Sequence, residues 1–181
     1  MTLESLLHPY TLIFLVSFVL SMIGPHFGGR RKMMAFKFCA DTLGAIYLFL
    51  LGGISGACAA QIAGTGALIQ ALTPHQHLKK TVWLRMGIAL ALSVISIYVS
   101  YRTPLDLLPI TMVIICRFGE LQSQAQRIRL VYFVTCFPWI IYHMTNGYYL
   151  PMAACIAASI SLLLSLLRHN RTQHPAVPQE I

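Results

Sequence analysis

The sequence predicts an all-α polytopic membrane protein with seven transmembrane helices. Its composition, its apolar segments and the positions of its basic residues support this prediction. Of the 181 residues, 57% are hydrophobic and 10% are charged, whereas soluble domains contain about 45–50% apolar and about 25% charged residues. A domain of this size could not bury so much apolar surface and still keep a polar exterior. A bilayer is therefore the predicted surrounding, and disordered, disulfide-rich, solenoid and cytosolic enzyme classes are poorly supported.

Seven apolar segments account for this composition, and each approaches the about 20 residues that a helix needs to cross a bilayer. Lipid offers no partner to unpaired backbone groups, so these segments are predicted to be helical. Short glycine-containing turns are predicted at 52–56 and 145–147, and polar, mostly basic stretches separate other segments. The predicted helices cover roughly 9–24, 33–51, 54–72, 82–100, 104–118, 128–144 and 148–167.

The lysine and arginine residues predict how these helices are oriented. With seven crossings and a periplasmic N-terminus, twelve of the 13 basic residues lie on the cytoplasmic side, and only Arg102 lies outside. This excess is typical of cytoplasmic loops, so the C-terminus is predicted to be cytoplasmic. The N-terminal region carries Glu4 and no Lys or Arg, so we expect no cleavable signal peptide. Topology explains the formal charge of +8, and we expect membrane lipids rather than nucleic acid as partners.

An internal repeat of three helices is the second prediction about the fold. Segments two and three match segments six and seven at a spacing of 94 residues, which pairs Gly53 with Gly147 at the two hairpin turns. Both copies have the same orientation, so one extra crossing must join them. Parallel repeats of this kind occur in secondary transporters, with the substrate near the midplane between the repeats. The predicted domains are a first repeat (1–73), a linker with the fourth helix (74–103), a second repeat (104–167) and a disordered cytoplasmic tail (168–181).

Two stretches of sequence carry a resemblance to known membrane proteins. They read RRKMMAFKFCADTLGAIYLFLLGGISGACAAQIAG and FPWIIYHMTNGYYLPMAACIAA, and together with the seven spans they resemble the YgjV-type bacterial inner membrane protein family. More remotely, the three-plus-one-plus-three plan resembles the SWEET and PQ-loop transporters, although His26 follows Pro25 where a Pro-Gln motif would stand. These resemblances imply a multi-pass protein of the bacterial inner membrane and, by analogy, a transporter.

Asp41 is the first candidate for a functional side chain, because charges inside a membrane span are costly and rare. If its helix begins near Met33, Asp41 lies about 12 Å along it, and Lys37 precedes it by one turn on the same face. Two interpretations stay open. One is a proton- or ion-sensitive carboxylate beside a substrate cavity, and the other is a structural ion pair whose lysine extends to the cytoplasmic face. The repeat pairs Asp41 with Thr135, so carboxylate chemistry is expected in one half only.

Two further groups of polar residues are candidates for lining a solute path. Gln61 and Thr65 lie one turn apart on the third segment and would hydrogen-bond either a solute or a neighbouring helix. The sixth segment carries a polar-aromatic group that suits either a solute site or an interfacial aromatic belt. Its members are Trp139, Tyr142, His143 and Asn146.

No motif for catalysis or metal binding is present in the sequence. The GxSxG, HExxH and Walker signatures are missing, so we expect neither an enzyme nor a cofactor. The pairs His75/His77 and His169/His174 fall short of the three or four ligands of a zinc site. The five cysteines lie in predicted spans without a CxxC motif, and we expect inert, buried side chains.

The sequence as a whole predicts transport of a small polar solute by alternating access between two three-helix bundles. The alternative is a non-transporting scaffold or regulatory subunit of the inner membrane, whose polar residues only lock the helices together. A cavity near the midplane would favour transport, and a closed, dry centre would favour the scaffold. The substrate, the coupling ion and the formation of a homo-oligomer stay open. The residues predicted to line the path are Asp41, Lys37, Gln61, Thr65, Trp139, Tyr142 and Asn146.

Overall fold

The structure, a computed structural model, describes residues 9–74, 77, 80–120 and 124–173. Within these residues, every regular element is helical, with seven α-helices and two short 3-10 turns, Gly24–His26 and Pro104–Asp106. The α-helices are α1 (Pro9–Ile23), α2 (Arg30–Leu50), α3 (Ile54–Leu72), α4 (Val82–Ser100), α5 (Leu107–Glu120), α6 (Ala125–Thr145) and α7 (Tyr149–Gln173).

The helix limits agree with the predicted segments except at several polar ends. α2 begins at Arg30 and α6 begins at Ala125, three residues before the predicted starts at 33 and 128. The prediction followed the apolar stretches, whereas a helix continues into the polar interface wherever its backbone hydrogen bonds can form. α5 begins at Leu107, because Pro104–Asp106 forms a 3-10 turn first.

The end of α7 differs from the predicted disordered tail. The helix continues to Gln173, six residues beyond the predicted end at 167. Neither Gly nor Pro occurs before Pro175 in this stretch, so nothing in the sequence stops the helix earlier. Residues 174–181 of the predicted tail lie outside the described residues.

The two hairpin turns have the same backbone geometry. Gly52 (φ 80°) and Gly147 (φ 72°) adopt the left-handed conformation that glycine tolerates best. In each turn the next residue donates its N–H to the carbonyl five residues earlier, at 2.9 Å for Gly53 and 2.8 Å for Tyr148. The sequence prediction pairs Gly53 with Gly147, whereas the two residues that share the left-handed conformation are Gly52 and Gly147, which are 95 positions apart.

Six of the helices form a ring. α1 packs on α2, α2 on α3, α3 on α5, α5 on α6, α6 on α7, and α7 returns to α1, while α4 packs outside the ring against α3 and α5. The groups α1–α3 and α5–α7 therefore meet along two interfaces. We call these the α3–α5 seam and the α1–α7 seam.

Buried apolar side chains form two clusters. One joins α2, α3, α5, α6 and α7 around Met34 and Ile128, which are fully buried. The other lies in the α3–α5 seam around Ala59 and Val113. Large apolar side chains also point outward, and Trp83 on α4 is 86% exposed. An outer surface of this kind is typical of a protein surrounded by lipid.

Among the described residues, three helices are long and apolar enough to cross a membrane by themselves. They are Arg30–Leu50, Val82–Ser100 and Tyr149–Arg168, and the apolar stretch Tyr10–His26 is shorter. The chain is thus an all-helical protein with several candidate membrane spans. The count of seven crossings stays a prediction.

Candidate functional site

A cavity of about 250 Å³ lies inside the ring of helices. Side chains of α1, α2, α6 and α7 form most of its wall, and Ala60 and Cys116 add one position each from α3 and α5. Most of the wall is apolar, with a small number of polar groups. Small-molecule sites commonly combine such a wall with a few placed polar groups, at volumes of about 300–1,000 Å³.

The ion pair predicted on α2 faces this cavity. Lys37 Nζ donates to Asp41 Oδ2 at 2.6 Å, and the two side chains are 19% and 21% exposed. Lys37 Nζ also lies 4.8 Å from the centre of the Tyr132 ring on α6. The lysine ammonium is therefore held between a carboxylate on its own helix and an aromatic face on the opposite wall.

The α6 wall carries further polar and aromatic groups, including the predicted candidates His143 and Trp139. Its ring stacks on the imidazole of His143 with a centroid distance of 5.4 Å. Thr135 Oγ1 lies 3.3 Å from Cys116 Sγ, and all of these residues line the cavity. On α1, Ser17 Oγ donates to the Ala40 carbonyl at 2.7 Å beside the same cavity. The sequence analysis missed Ser17 and Tyr132 as lining residues, because hydroxyl groups on apolar helices carry little signal without a partner helix.

Tyr142 and Asn146, which the sequence placed on the path, lie outside the described wall of the cavity. Tyr142 is 1% exposed, and its hydroxyl accepts from the Gly56 N–H at 3.2 Å and pairs with Ser55 Oγ at 3.0 Å. Asn146 Nδ2 donates to the Tyr142 carbonyl at 2.8 Å. Tyr142 thus connects α6 to the start of α3, and Asn146 caps the end of α6.

Gln61 and Thr65 also lie away from the cavity. Gln61 is exposed on the outer surface of α3. Thr65 lines a second pocket of about 20 Å³ together with Gln70, Arg85 and Arg117. Of the seven residues predicted to line the path, the cavity therefore brings together Lys37, Asp41 and Trp139.

The second pocket lies in a cluster of arginine side chains. Gln70 Oε1 accepts from both Arg30 and Arg85. Arg117, which is 4% exposed, donates from Nη2 to the Ala63 carbonyl at 2.9 Å. This cluster joins α2, α3, α4 and α5 at one end of the ring.

Asp106 joins α3 to the turn before α5 at the opposite end of the ring. Its Oδ1 accepts from Ser55 Oγ at 2.6 Å, and its Oδ2 accepts from the backbone N–H groups of Thr103 at 2.8 Å and Arg102 at 3.1 Å. Burial raises the pKa of Asp106, but these hydrogen bonds outweigh burial and lower the pKa below its ordinary value of 3.8. The carboxylate is thus stabilised in its charged form.

A group of side chains on α6 and α7 binds the end of α1, and we call Arg129, Ser161 and Ser165 the Arg129 cluster. Arg129 is 2% exposed and donates to the carbonyls of Pro25 and Phe27 at 2.8 Å and 2.7 Å. Ser165 Oγ donates to the Pro25 carbonyl at 2.7 Å, and Ser161 Oγ donates to a carbonyl near the end of α1 at 3.0 Å. The cluster closes the α1–α7 seam beside the cavity.

Three of the five cysteines line the cavity, namely Cys116, Cys136 and Cys155, whereas Cys39 is exposed on the outer surface. In the part of the chain that the structure describes, no three His, Cys, Asp or Glu side chains converge as metal ligands would. His75 and His174 of the predicted histidine pairs lie outside that part.

The comparison with protein families gives a match over most of the chain. The model of Imp-YgjV, described as a bacterial inner membrane protein, matches residues 10–173. No curated protein and no solved structure matches the chain.

Proposed function

Since the chain belongs to the Imp-YgjV family of bacterial inner membrane proteins, we propose that it moves a small polar solute across that membrane by alternating access. The two moving parts are the bundles α1–α3 and α5–α7. The cavity between them carries the proposal, because its apolar wall encloses the ion pair of Lys37 with Asp41. A solute would be oriented by these polar groups and shielded by the wall. No catalytic step is part of the proposal.

An internal repeat with a register of 95 residues supports the two-bundle mechanism. The left-handed turn residues Gly52 and Gly147 define this register, and Gly24 then pairs with Gly119. Asp41 pairs with Cys136 rather than with Thr135. Seven pairs related by this register line the cavity from both bundles, namely Ser21/Cys116, Lys37/Tyr132, Ala40/Thr135, Asp41/Cys136, Gly44/Trp139, Leu48/His143 and Ala60/Cys155.

The helix contacts support the same repeat. In the repeat, α1, α2 and α3 correspond to α5, α6 and α7. The α3–α5 seam then corresponds to the α1–α7 seam, and the structure contains both. Two like bundles around a central cavity are the arrangement that alternating access requires. α4 lies outside the ring, where it would return the chain across the membrane between the copies.

Seven crossings with a periplasmic N-terminus are part of the proposal. The described basic residues that support this orientation lie at the start of α2, α4 and α6 and at the end of α5 and α7. In such a topology all of these helix ends lie on the cytoplasmic side. Arg102, by contrast, precedes α5. Fusing a reporter that is active only in the cytoplasm after residue 181, and separately after residue 102, tests the orientation. Activity of the first fusion alone is expected, and the reverse result would overturn the topology.

The scaffold alternative rests on a different observation. The ion pair in the cavity is already formed, and the polar side chains of Tyr142 and Arg129 bind neighbouring helices. A protein built only to hold its helices together would show these contacts. It would, however, give no access to its interior from either side of the membrane.

Access to Cys136 separates the two functions. A variant that keeps Cys136 and replaces the other four cysteines by Ala is placed in right-side-out and inside-out vesicles and treated with a membrane-impermeant methanethiosulfonate. Transport predicts labelling of Cys136 from both sides, because the cavity opens to each in turn. A matched variant that keeps only Cys39, which is exposed on the outer surface and would face lipid, should stay unlabelled. If Cys136 is not labelled from one of the two sides, or from neither, transport is refuted and the scaffold is favoured.

A further inference from the structure

The Lys37 ammonium occupies a position built to hold a positively charged nitrogen. Its Nζ lies 2.6 Å from Asp41 Oδ2 and 4.8 Å from the centre of the Tyr132 ring. A carboxylate on one side and an aromatic face on the other are the two groups that proteins use to bind ammonium ions. These groups come from α2 and α6, one from each bundle, so the ammonium is bound where the bundles face each other.

The lysine is the partner in this arrangement that is able to leave. Asp41 has a short side chain on the middle of α2, whereas Lys37 has a flexible four-carbon stem. α2 begins at Arg30, seven residues before Lys37, or about 10 Å along the helix. The lysine can therefore extend its ammonium toward the membrane surface, and Asp41 and Tyr132 then face the cavity without it.

The rest of the cavity sets the shape of a ligand. Phe14, Phe18 and Trp139 contribute aromatic surface to a mostly apolar wall. A cavity of about 150 Å³ accepts benzene, so the 250 Å³ available here corresponds to a solute of about ten non-hydrogen atoms. An anionic solute would meet the fixed charge of Asp41, and a neutral one would leave that carboxylate without a cation.

From this geometry we infer that the cavity binds a small organic ammonium ion with an apolar or aromatic body, and that the Lys37 ammonium occupies the same position when the solute is absent. The inference rests on the proposed function, since only a path from solution brings a solute to this position. Lys37 then competes with the solute for Asp41 and Tyr132. Its release from Asp41 accompanies solute binding.

Binding to the purified full-length chain in nanodiscs tests the inference. The chain has two tryptophans, and a Trp83→Phe background leaves Trp139 in the cavity wall as the fluorescent reporter. Phenethylamine is compared with phenethyl alcohol, which is neutral, and with hydrocinnamate, which is anionic. We expect a saturable change in Trp139 fluorescence with phenethylamine alone. Equal responses to the amine and the alcohol would overturn the inference.

Variants of the ion pair sharpen the test. Lys37→Met should lower the Kd for phenethylamine about tenfold, because the competing ammonium is gone and a larger fraction of the protein is ready to bind. Lys37→Arg keeps a competing cation and should resemble the parent protein. Asp41→Asn should abolish the response. An unchanged Kd in Lys37→Met, or amine binding that survives Asp41→Asn, would refute the competition.

A double variant controls for folding, because either single change leaves one charge without its partner. Lys37→Met with Asp41→Asn is neutral, so its thermal stability should match that of the parent more closely than either single variant. It should not bind the amine, and a response to phenethylamine in this folded variant would overturn the inference. Labelling of Cys136 from both sides without amine binding would refute the ammonium assignment and leave transport standing. Amine binding without labelling from both sides would refute transport and leave the binding site standing.

Discussion

The two seams between the bundles are built differently. In the α3–α5 seam, small residues of α3 pack against larger residues of α5, and Ala59, Ile110 and Val113 are each no more than 2% exposed. Arg117 closes one end of this seam against Gly66. Along the α1–α7 seam the helices instead line the cavity, and the Arg129 cluster holds one end through hydrogen bonds to backbone carbonyls.

This difference indicates which seam would move. In the proposed repeat with a register of 95 residues, Gly66 corresponds to Ser161 and Arg117 corresponds to Met22, so the two seams would use matched positions for different contacts. Close apolar packing is lost completely when two helices separate, whereas water can replace a hydrogen bond to a carbonyl at a small net cost. We therefore expect the α1–α7 seam to open during transport and the α3–α5 seam to stay closed.

Replacing Arg129 should have the largest effect. Arg129→Gln removes the charged hydrogen bonds to Pro25 and Phe27. Ser165 still donates to the Pro25 carbonyl, but the half-buried Phe27 carbonyl loses the Arg129 donor, so we expect the free energy of unfolding to fall by about 3 kcal/mol. The α1–α7 seam should open more often, and Cys136 should label faster from the cytoplasmic side. Denaturant titration and the labelling rate measure the two effects. Arg127→Gln, which makes the same charge change at an exposed position, is the control, and equal effects of both variants would contradict the assignment of the seam.

A methyl group at Gly66 tests the packed seam. Its Cβ would lie 1.5 Å from Arg117 Nη1, so Gly66→Ala should push the buried Arg117 guanidinium away from the Ala63 carbonyl. Loss of this charged hydrogen bond should cost about 2 kcal/mol of unfolding free energy. Cys136 labelling from the cytoplasmic side should not rise, because the α1–α7 seam is untouched. Gly87→Ala is the matched control, since a Cβ at Gly87 has nothing within 4 Å, and helix propensity predicts a gain of up to about 1 kcal/mol. A loss in both variants would show that the crowding at Arg117 is not the cause.

Removing the Tyr142 hydroxyl should have a smaller effect. Tyr142→Phe loses the contacts with Ser55 and with the Gly56 N–H, and we expect a cost of about 1 kcal/mol by thermal or denaturant unfolding. Tyr149→Phe changes a tyrosine that is 68% exposed and should leave stability unchanged. If transport requires only the cavity, Tyr142→Phe should still allow labelling of Cys136 from both sides. Loss of labelling from one side would place Tyr142 on the path after all.

The smallest expected effect concerns the pH dependence at Asp106. Hydrogen bonds lower the pKa of this carboxyl below its unfolded value, so its contribution to stability is present above that value and is lost as the pH falls through the lowered pKa. Because the group is partly exposed to solvent, we expect only a few tenths of a kcal/mol. Measured from pH 6 to about pH 3, the stability difference between the parent protein and Asp106→Asn should shrink. A difference that grows toward acid pH would contradict the lowered pKa.

The helices and the Lys37–Asp41 pair were predictable from the sequence, because both depend on short-range order. An apolar stretch of helical length has to satisfy its own backbone in lipid, and two residues one turn apart face the same way whatever packs against them. The polar ends of α2, α6 and α7 were less predictable, since a helix ends according to its backbone hydrogen bonds rather than at the limit of the apolar stretch.

The register of the proposed repeat was not predictable to the residue. Apolar segments match one another by chance at several spacings, so the sequence suggested 94 and paired Gly53 with Gly147. Only the backbone conformation identifies Gly52 as the residue with a left-handed turn. The same limitation explains the assignment of Gln61, Thr65, Tyr142 and Asn146 to the path, because spacing along a helix does not say which neighbour each face meets.

The sequence by itself determined that this chain is an all-helical membrane protein with one ion pair on its second helix. Only the tertiary structure decided which polar side chains surround a cavity and which bind neighbouring helices. Arg129 illustrates the reason. Its position on a basic helix end suggests a side chain facing the membrane surface, yet it is buried because the carbonyls of Pro25 and Phe27, more than a hundred residues away, lie within its reach. Contacts between residues so far apart in the chain depend on how the helices pack, which the local sequence does not predict.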